Sequence, residues 1–291
     1  MNPLLKKIYN TVPFKKQVFT LMKKVGVPHP DIYKHLYFKG VMKVKINDST
    51  SFLMQHHGFQ LENEIFWNGL TGGWEKISLG LWIKLCSKAN VVFDVGANTG
   101  IYSLIASALN PSAKVVAFEP VNRVYKKLVQ NNELNKFKIH CVEKAASNFN
   151  GTATIYDTDA DHTYSVAVNT DLTVSGTKTI PTTIYTQTLD NFILENSVPK
   201  IDLIKIDVET HEPAVIEGFL SHIKQYKPTL IIEILNDEVG EKVNQMIDGL
   251  GYEFYNIDEY KGIRKVSKIS KSDFHNFLIC SAETASWLGL K

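Results

Sequence analysis

Four acidic side chains stand at the ends of separate apolar runs in this chain: Asp94, Glu119, Asp207 and Glu233. Short apolar runs rich in β-branched residues are typical of parallel strands that are buried on both faces. Ligands of open α/β sheets bind beyond the carboxyl ends of such strands. The sequence therefore predicts that these carboxyl groups line one crevice, where they can bind hydroxyl groups or accept protons.

A second group of polar residues surrounds one of these acids. Asp207, Glu209 and His211 follow the apolar run 201–206 within a few positions. We predict that His211 is a general base, because histidine titrates near neutrality, and that Asp207 orients the acceptor or a cofactor. The alternative base is a carboxylate, either Asp207 or Glu209. The competing interpretation is that Glu209 and His211 only cap the helix that begins near Pro213.

The stretch Val91–Gly100 predicts a buried strand followed by a ligand-binding turn. Gly96 and Gly100 allow the backbone to turn sharply and to approach a ligand, and Thr99 is expected to cap the next helix. Dinucleotide binding is disfavoured because the second and third glycine positions of G-x-G-x-x-G hold Asn98 and Ile101. No Gly-Lys-Ser/Thr follows, which excludes a Walker phosphate loop. A nucleoside without a phosphate chain remains, and S-adenosylmethionine is the common one.

Each part of that cofactor is assigned to a separate place in the sequence. We expect Glu119 to accept hydrogen bonds from the ribose hydroxyls, although a carboxyl at a solvated strand end would look the same. Ala146, within Ala145-Ala146-Ser147, is expected near the adenine ring, with a tight loop as the alternative. The residues assigned to the methionine part are Asp94, Gly96, Ala97, Asn98 and Gly100, with Asp207 as a further contact.

Composition excludes several classes of protein. The chain has 291 residues, 44% of them hydrophobic, and a net charge of +2, so no global field favours nucleic acid. Arg123 and Arg264 are its only arginines, which leaves few groups for phosphate or base recognition. Three widely spaced cysteines indicate reduced core thiols rather than a disulfide framework or a zinc site. We expect a cytoplasmic enzyme that needs no metal. The alternative is a metal-dependent enzyme in which the strand-end acids bind Mg²⁺.

The pattern of elements divides the chain in two. Residues 1–73 are predicted to form an extension of helices and a β-hairpin, and residues 74–291 an α/β domain with a polar insertion near 157–178. Six lysines precede the first acid, Asp31. The helices of residues 1–30 are expected to pack on the domain or on a second subunit, or to lie on anionic lipid as a peripheral membrane contact at its cytoplasmic face.

The sequence resembles the FkbM family of S-adenosylmethionine-dependent methyltransferases. The likeness runs over roughly residues 74–233 and rests on four motifs, which in chain order are 93–100 (FDVGANTG), 118–120 (FEP), 188–190 (TLD) and 206–212 (IDVETHE). It implies a class I methyltransferase fold, a mostly parallel seven-stranded sheet with helices on both faces and an antiparallel last strand. It also implies O-methylation of a sugar, glycan or related compound. Thr210 stands where this family commonly has glycine.

Two other functions share the fold and stay open at this point. A nicotinamide-dependent oxidoreductase would use a similar sheet, although the glycines that it needs are lacking. A non-catalytic cofactor-binding module could keep the Gly96 turn, but it would not explain why Asp207, Glu209 and His211 are polar together. The sequence leaves the identity of the acceptor and the oligomeric state undetermined.

Overall fold

The computed structural model describes residues 13–158 and 179–290. The helices in these ranges are α1 Lys15–Val25, α2 Pro30–Tyr33, α3 Gln60–Asn68, α4 Lys76–Cys86, α5 Ile101–Leu109, α6 Asn122–Asn135, α7 Leu189–Glu195, α8 Glu212–Glu217, α9 Leu220–Tyr226, α10 Asp237–Ile247 and α11 Ala282–Leu288. The strands are β1 Gly40–Lys45, β2 Ser51–His56, β3 Val91–Val95, β4 Lys114–Phe118, β5 His140–Val142, β6 Ala145–Ala146, β7 Gly151–Thr158, β8 Thr179–Gln187, β9 Leu203–Ile206, β10 Thr229–Glu233, β11 Glu253–Asp258, β12 Gly262–Val266 and β13 Asn276–Cys280.

Within the described ranges, the main sheet has eight strands in the order β5-β4-β3-β9-β10-β13-β11-β12. Strands β5, β4, β3, β9 and β10 pair in parallel, and β13 is antiparallel to both of its neighbours. This arrangement confirms the class I methyltransferase fold, including the antiparallel last strand. The eighth strand, β12, is one more than the seven expected, and it pairs with β11 at the edge of the sheet.

Helices cover both faces of the sheet. Adjacent residues of β3 point to opposite sides, as the period of a strand requires: Val92 joins one apolar core and Phe93 the other. The first core includes Trp82 of α4 and Leu104 of α5, and the second includes Phe192 of α7. Because β3 is buried on both faces, its carboxyl end is held rigidly at the centre of the sheet.

The predicted N-terminal hairpin is confirmed, and it packs on the main sheet's helix α6. Strands β1 and β2 pair antiparallel, from Gly40 opposite His56 to Lys45 opposite Ser51. Asn131 and Asn135 of α6 accept hydrogen bonds from the backbone N–H groups of Gln55 and Leu53, at 2.9 and 2.6 Å. The extension is therefore joined to the α/β domain by hydrogen bonds that satisfy the free edge of β2.

The segment after the fourth strand of the α/β unit differs from the prediction. One helix was expected after Pro213, but the structure has two, α8 and α9, separated at Gly218. A Cβ atom at Gly218 would lie 2.0 Å from the backbone oxygen of Ser147, so the helix can approach Ser147 only with glycine at this place. The break brings α8 against the loop that carries Ala146.

Strands β7 and β8 pair antiparallel, as expected from their alternating residues. The polar insertion predicted between them lies almost wholly outside the described residues. In the part of the chain that the structure describes, no helix has the length and apolar content required to cross a membrane.

Candidate functional site

The turn after β3 is fixed by backbone hydrogen bonds to the neighbouring strand. Gly96 N and Ala97 N both donate to Phe118 O, at 3.0 and 2.9 Å. Gly96 has φ of 81°, and a Cβ atom there would lie 1.8 Å from the backbone oxygen of Asp207. Only glycine allows this close approach of the Gly96 turn and the end of β9. The two segments therefore form one surface.

Asp94 holds the first turn of helix α5. Its Oδ2 atom accepts hydrogen bonds from Ser103 N at 3.0 Å and from Ser103 Oγ at 2.6 Å. Burial raises the pKa of Asp94 to about 6. The predicted cap, Thr99, is wrong: Gly100 occupies the N-cap position, and Thr99 Oγ1 is buried without a hydrogen-bond partner in the described ranges. Asp94 of β3 thus accepts the hydrogen bond from a backbone N–H in the first turn of α5. A capping side chain next to the helix would normally accept that bond.

Gly100 serves packing in this structure. Its φ is 92°, and a Cβ atom there would lie 2.5 Å from Leu128 Cδ1 of helix α6. Gly100 does not line the cavity at the strand ends, although the sequence predicts that it binds the methionine part of the cofactor. The close approach that this glycine permits is between the two helices.

Glu119 closes the turn from the other side. Its Oε2 accepts from Asn98 N at 3.0 Å and its Oε1 accepts from Val121 N at 2.9 Å. Burial of the side chain raises the pKa of Glu119 to about 7. Asn98 has φ of 52°, and its Oδ1 is buried with no hydrogen-bond partner among the residues described. Each Glu119 oxygen keeps acceptor capacity for a further donor.

A cavity of about 290 Å³ lies beyond the carboxyl ends of β3, β4, β9 and β10. One end is apolar and is lined by Val121, Ala145, Ala146, Ile155 and Ile184. The other end holds the carboxyl groups. The structure brings together nine of the ten residues that the sequence assigned to the site, namely Asp94, Gly96, Ala97, Asn98, Glu119, Ala146, Asp207, Glu209 and His211.

Two residues at the acidic end, Lys205 and Glu75, were not predicted. Lys205 is fully buried, and its Nζ donates to Asp207 Oδ2 and to Asn276 Oδ1, each at 3.1 Å. Asn276 Nδ2 and Tyr102 OH in turn donate to the two Glu75 oxygens, at 2.7 and 2.6 Å. These side chains form one continuous hydrogen-bonded network under the cavity.

The ionisable side chains of this network shift one another's pKa values. Burial alone would lower the pKa of Lys205, but the nearby carboxyls of Asp207, Glu75 and Glu233 raise it above its ordinary value. Burial and the charge of Asp207 raise the pKa of Glu233 far above its usual range. Glu233 is therefore protonated at neutral pH and can share its proton with Asp207.

The loop after β9 is strained and is held by a buried acid. Glu209 and Thr210 have φ of 54° and 77°, and a β-branched residue at such a φ is a genuine outlier. Glu212 is fully buried, and its Oε1 accepts from Val208 N at 3.1 Å. Glu212 therefore reaches back across the loop and fixes its shape.

His211 is the N-cap residue of α8, but its side chain makes no capping bond. Its Nε2 lies 3.0 Å from Ser147 Oγ, next to the loop that carries Ala146. Burial lowers the pKa of His211, so the imidazole is neutral at pH 7. The described ranges contain no cluster of three or more His, Cys, Asp or Glu side chains placed to hold a metal ion.

Comparison with known proteins identifies the family. The model of the methyltransferase FkbM domain matches residues 94–254, which is more than half of the chain. The chain belongs to the FkbM methyltransferase family. A curated relative, the hexuronic acid methyltransferase AglP of Haloferax volcanii, is 26% identical over 162 residues, 55% of this chain. The match spans 62% of the length of AglP.

Solved structures with a similar arrangement include other methyltransferases. The methyltransferase FkbM from Methylobacillus flagellatus is 17% identical with a TM-score of 0.41, covering 66% of this chain and 43% of that one. An S-adenosylmethionine-dependent methyltransferase from Agrobacterium tumefaciens is 12% identical with a TM-score of 0.44, covering 84% of this chain and 71% of that one.

S-adenosylmethionine, the cofactor expected from the sequence, is the cofactor of FkbM methyltransferases, and the cavity fits it. Among the described residues, six carboxyl side chains and two lysines line the cavity. Even with Glu233 protonated, the acids outnumber the lysines, so the charge suits a ligand that carries an ammonium and a sulfonium. The apolar end suits a flat base, and the buried Asn98 Oδ1 offers an unused acceptor. The structure therefore presents a donor and acceptor set of the right kind for this cofactor.

Proposed function

We propose that this protein is an S-adenosylmethionine-dependent O-methyltransferase that acts on a hydroxyl group of a sugar, glycan or related natural product. One observation carries the proposal: a single cavity at the strand ends has an apolar end beside Ala146, an acidic turn at Gly96 and Glu119, and the polar residues of 207–211. Membership in the FkbM family supports it.

The proposed cofactor residues are supported by the lining of this cavity. Glu119 is assigned to the ribose hydroxyls, and Ala146 with Ile155 and Ile184 to the adenine ring. The backbone of Gly96 and Ala97, with Asn98 and Asp94, is assigned to the methionine part. When bound, S-adenosylmethionine supplies an electrophilic methyl group.

The residues after β9 are assigned to the acceptor. Methyl transfer to a hydroxyl would form an oxygen–carbon bond as the sulfur–carbon bond of the cofactor breaks, with the neutral thioether as the leaving group. The hydroxyl proton is released, and the protein must accept it. His211 is neutral at pH 7 because burial lowers its pKa, so it can take this proton. Ser147 Oγ donates to Asn148 Oδ1 at 3.3 Å and can accept from His211 Nε2, which leaves Nδ1 as the basic nitrogen. Asp207, held by Lys205, orients the acceptor.

The charge of the cavity favours a neutral acceptor. AglP is named for a hexuronic acid, whose carboxylate requires a cation beside it. Of the described lining residues, Lys205 is already engaged by Asp207 and Asn276, which leaves Lys144, whose Nζ donates to the neutral amide of Gln187 at 2.9 Å. Besides the protonated Glu233, five carboxyls line the same cavity. We therefore infer that a neutral sugar hydroxyl is a better acceptor than one on a uronic acid.

Incubation with S-adenosylmethionine labelled in the methyl group tests the proposal. Neutral sugar nucleotides, glycolipids and their uronic acid counterparts serve as acceptors, and the product is located by mass spectrometry and NMR. We expect label on a hydroxyl oxygen of a neutral sugar. Label on the carboxylate, or a preference for uronic acids, contradicts the acceptor assignment. Tight cofactor binding without transfer to any pool would favour a non-catalytic module, and NAD(P)H binding an oxidoreductase.

A further inference from the structure

Helix α1 is attached to the protein by its polar side. Its only buried residue is Phe19, which lies 5.7 Å from the ring of Trp67. On the same side, Lys16 Nζ donates to Val41 O at 2.7 Å and Lys23 Nζ donates to Phe66 O. A surface helix of a globular protein normally turns its apolar stripe to the core and its lysines to water. This helix has the opposite orientation.

The apolar face of α1 consequently points away from the protein. Phe14 is 71% exposed, Val18 50%, Leu21 65% and Val25 90%. These residues recur at helical spacing and form one continuous stripe along the helix, which we call the α1 stripe. A contiguous exposed apolar surface of this kind marks a contact with another protein or with a membrane.

The charged side chains of α1 and its flanking residues are all lysines, of which Lys16 and Lys23 face the protein while Lys15 and Lys24 flank the stripe. From residue 13 to residue 30 the sequence has four lysines and no acid, although the whole chain has a net charge of only +2. Beside the beginning of α1, a cavity of about 540 Å³ is lined by Lys15, Lys16 and Lys39 together with aromatic residues. An apolar stripe bordered by lysines matches the acyl and headgroup layers of an anionic bilayer.

The same charges disfavour a second copy of this chain. Two copies that packed stripe against stripe would bring their lysines together, and like charges at close range repel. An anionic lipid surface instead supplies both the apolar layer and the opposite charge.

We propose that α1 docks this protein on the surface of a membrane that contains anionic lipids, with the α1 stripe in the interfacial layer and the exposed Lys24 among the headgroups. Helix α3 connects this surface to the cavity, because it carries Phe66, which receives the bond from Lys23, and Leu61, which lines the cavity. Docking would bring an acceptor at the membrane surface close to the site. That consequence rests on the proposed function, but docking itself does not.

Co-sedimentation of the full chain with phospholipid vesicles tests the proposal. We expect binding to vesicles of phosphatidylcholine mixed with phosphatidylglycerol, little binding to phosphatidylcholine alone, and weaker binding as ionic strength rises. The double variant Leu21→Glu, Val25→Glu should lose at least about tenfold in apparent affinity, and Lys24→Ser about threefold to fivefold. All three side chains are exposed, so the variants should unfold thermally as the wild type does.

Leu194→Glu is the matched control, because Leu194 is 67% exposed but lies on helix α7. It should bind vesicles as the wild type does. Absence of binding to the anionic vesicles, or equal loss in the control, would overturn the proposal. A concentration-dependent dimer in light scattering that the Leu21→Glu, Val25→Glu variant abolishes would instead assign the stripe to a second copy. Neither result depends on methyl transfer, so a failure here is distinguishable from a failure of the proposed function.

Discussion

The ammonium of Lys205 lies 3.1 Å from Asp207 Oδ2, and the two residues stand two positions apart at the end of β9. Side chains two apart in a strand share one face, so Lys205 supports Asp207 from inside the protein. Both side chains line the cavity, but Lys205 is 1% exposed whereas Asp207 is 30% exposed. Lys205 thus offsets the charge of the acids that surround it, and it fixes Asp207 without facing solvent.

Replacement of Lys205 by Met should strongly destabilise the protein. Removal of one partner of a buried ion pair leaves the other charges uncompensated, which typically costs about 3 to 5 kcal/mol. We expect this decrease in the free energy of unfolding, measured by urea denaturation at pH 7.

Lys200→Met is the matched control for this measurement. Lys200 also pairs with an aspartate, Asp202, at 2.7 Å, but most of its side chain is exposed. Exposed ion pairs contribute at most about 1 kcal/mol. Equal decreases in the free energy of unfolding of the two variants would show that the buried ion pair stabilises the protein no more than the exposed one. If the decrease in Lys205→Met disappears at low pH, where the acids are protonated, the uncompensated charge of those acids is its cause.

Replacement of Glu119 by Gln should weaken the binding of S-adenosylmethionine at pH 8 by about 10- to 150-fold, equivalent to about 1.5 to 3 kcal/mol, because ribose donors lose a charged acceptor. Burial raises the pKa of Glu119 to about 7, so in the wild type the affinity should fall as the pH decreases through 7 and the carboxylate is protonated. Titration calorimetry from pH 8 to pH 6 should show this slope in the wild type and a smaller slope in the variant.

Glu143→Gln is the control for cofactor binding. Glu143 accepts a hydrogen bond from Asn122 Nδ2 at 2.6 Å near the same edge of the sheet, but it does not line the cavity. Its replacement should leave the affinity unchanged. An unchanged affinity in Glu119→Gln at pH 8 would refute the ribose assignment.

The sequence was sufficient to predict the sheet and nine of the residues that line the cavity, because both depend on local patterns. Apolar runs that end in acids located β3, β4, β9 and β10, and glycine spacing located the turn at Gly96. The last antiparallel strand was expected from the family resemblance. Each of these patterns lies within a short stretch of the chain, so it can be recognised without knowledge of the rest of the fold.

Other parts of the site depend on contacts that are distant in sequence. Glu75 stands just before helix α4, and only the fold brings it to Asn276, 201 positions away. The sequence did contain a signal for Lys205, because a lysine within a strand that is buried on both faces must be paired with an acidic side chain. Thr99 was predicted as a cap because its residue type favours that position, but Asp94 satisfies the helix from the strand below it. The break at Gly218 likewise depends on its approach to Ser147.

Replacement of Thr210 by Gly should stabilise the protein. Thr210 is β-branched, and its φ of 77° lies in the left-handed region, where the side chain is strained. Glycine relieves that strain but loses more backbone entropy on folding, so we expect a net gain of about 1 kcal/mol in the free energy of unfolding. Thermal and urea denaturation measure it.

Thr210→Ala is the companion variant, because it removes the β-branch but keeps Cβ. Its stability should lie between those of the wild type and of Thr210→Gly. If Thr210→Gly is less stable than the wild type, contacts of the threonine side chain outweigh the backbone strain.

The pH dependence of turnover should distinguish the two candidate bases at the acceptor end. Burial lowers the pKa of His211 below its ordinary value of 6.5. If His211 accepts the proton, kcat should be level from pH 7 to pH 8 and should fall as the pH decreases below 6.5 and the imidazole is protonated. If the Asp207–Glu233 pair accepts it, the raised pKa of Glu233 should instead make kcat rise with pH above neutrality.

Variants of the same residues give the matching kinetic test. His211→Asn should lower kcat by about 10²- to 10⁴-fold with little change in the affinity for S-adenosylmethionine. Ser147→Ala removes only the partner of Nε2 and should have a smaller effect, because the ring is then less well held but remains basic. Full turnover in His211→Asn together with a large loss in Asp207→Asn or Glu209→Gln would assign the base to a carboxylate. Full turnover in all three would mean that alignment of the two substrates is sufficient for the reaction.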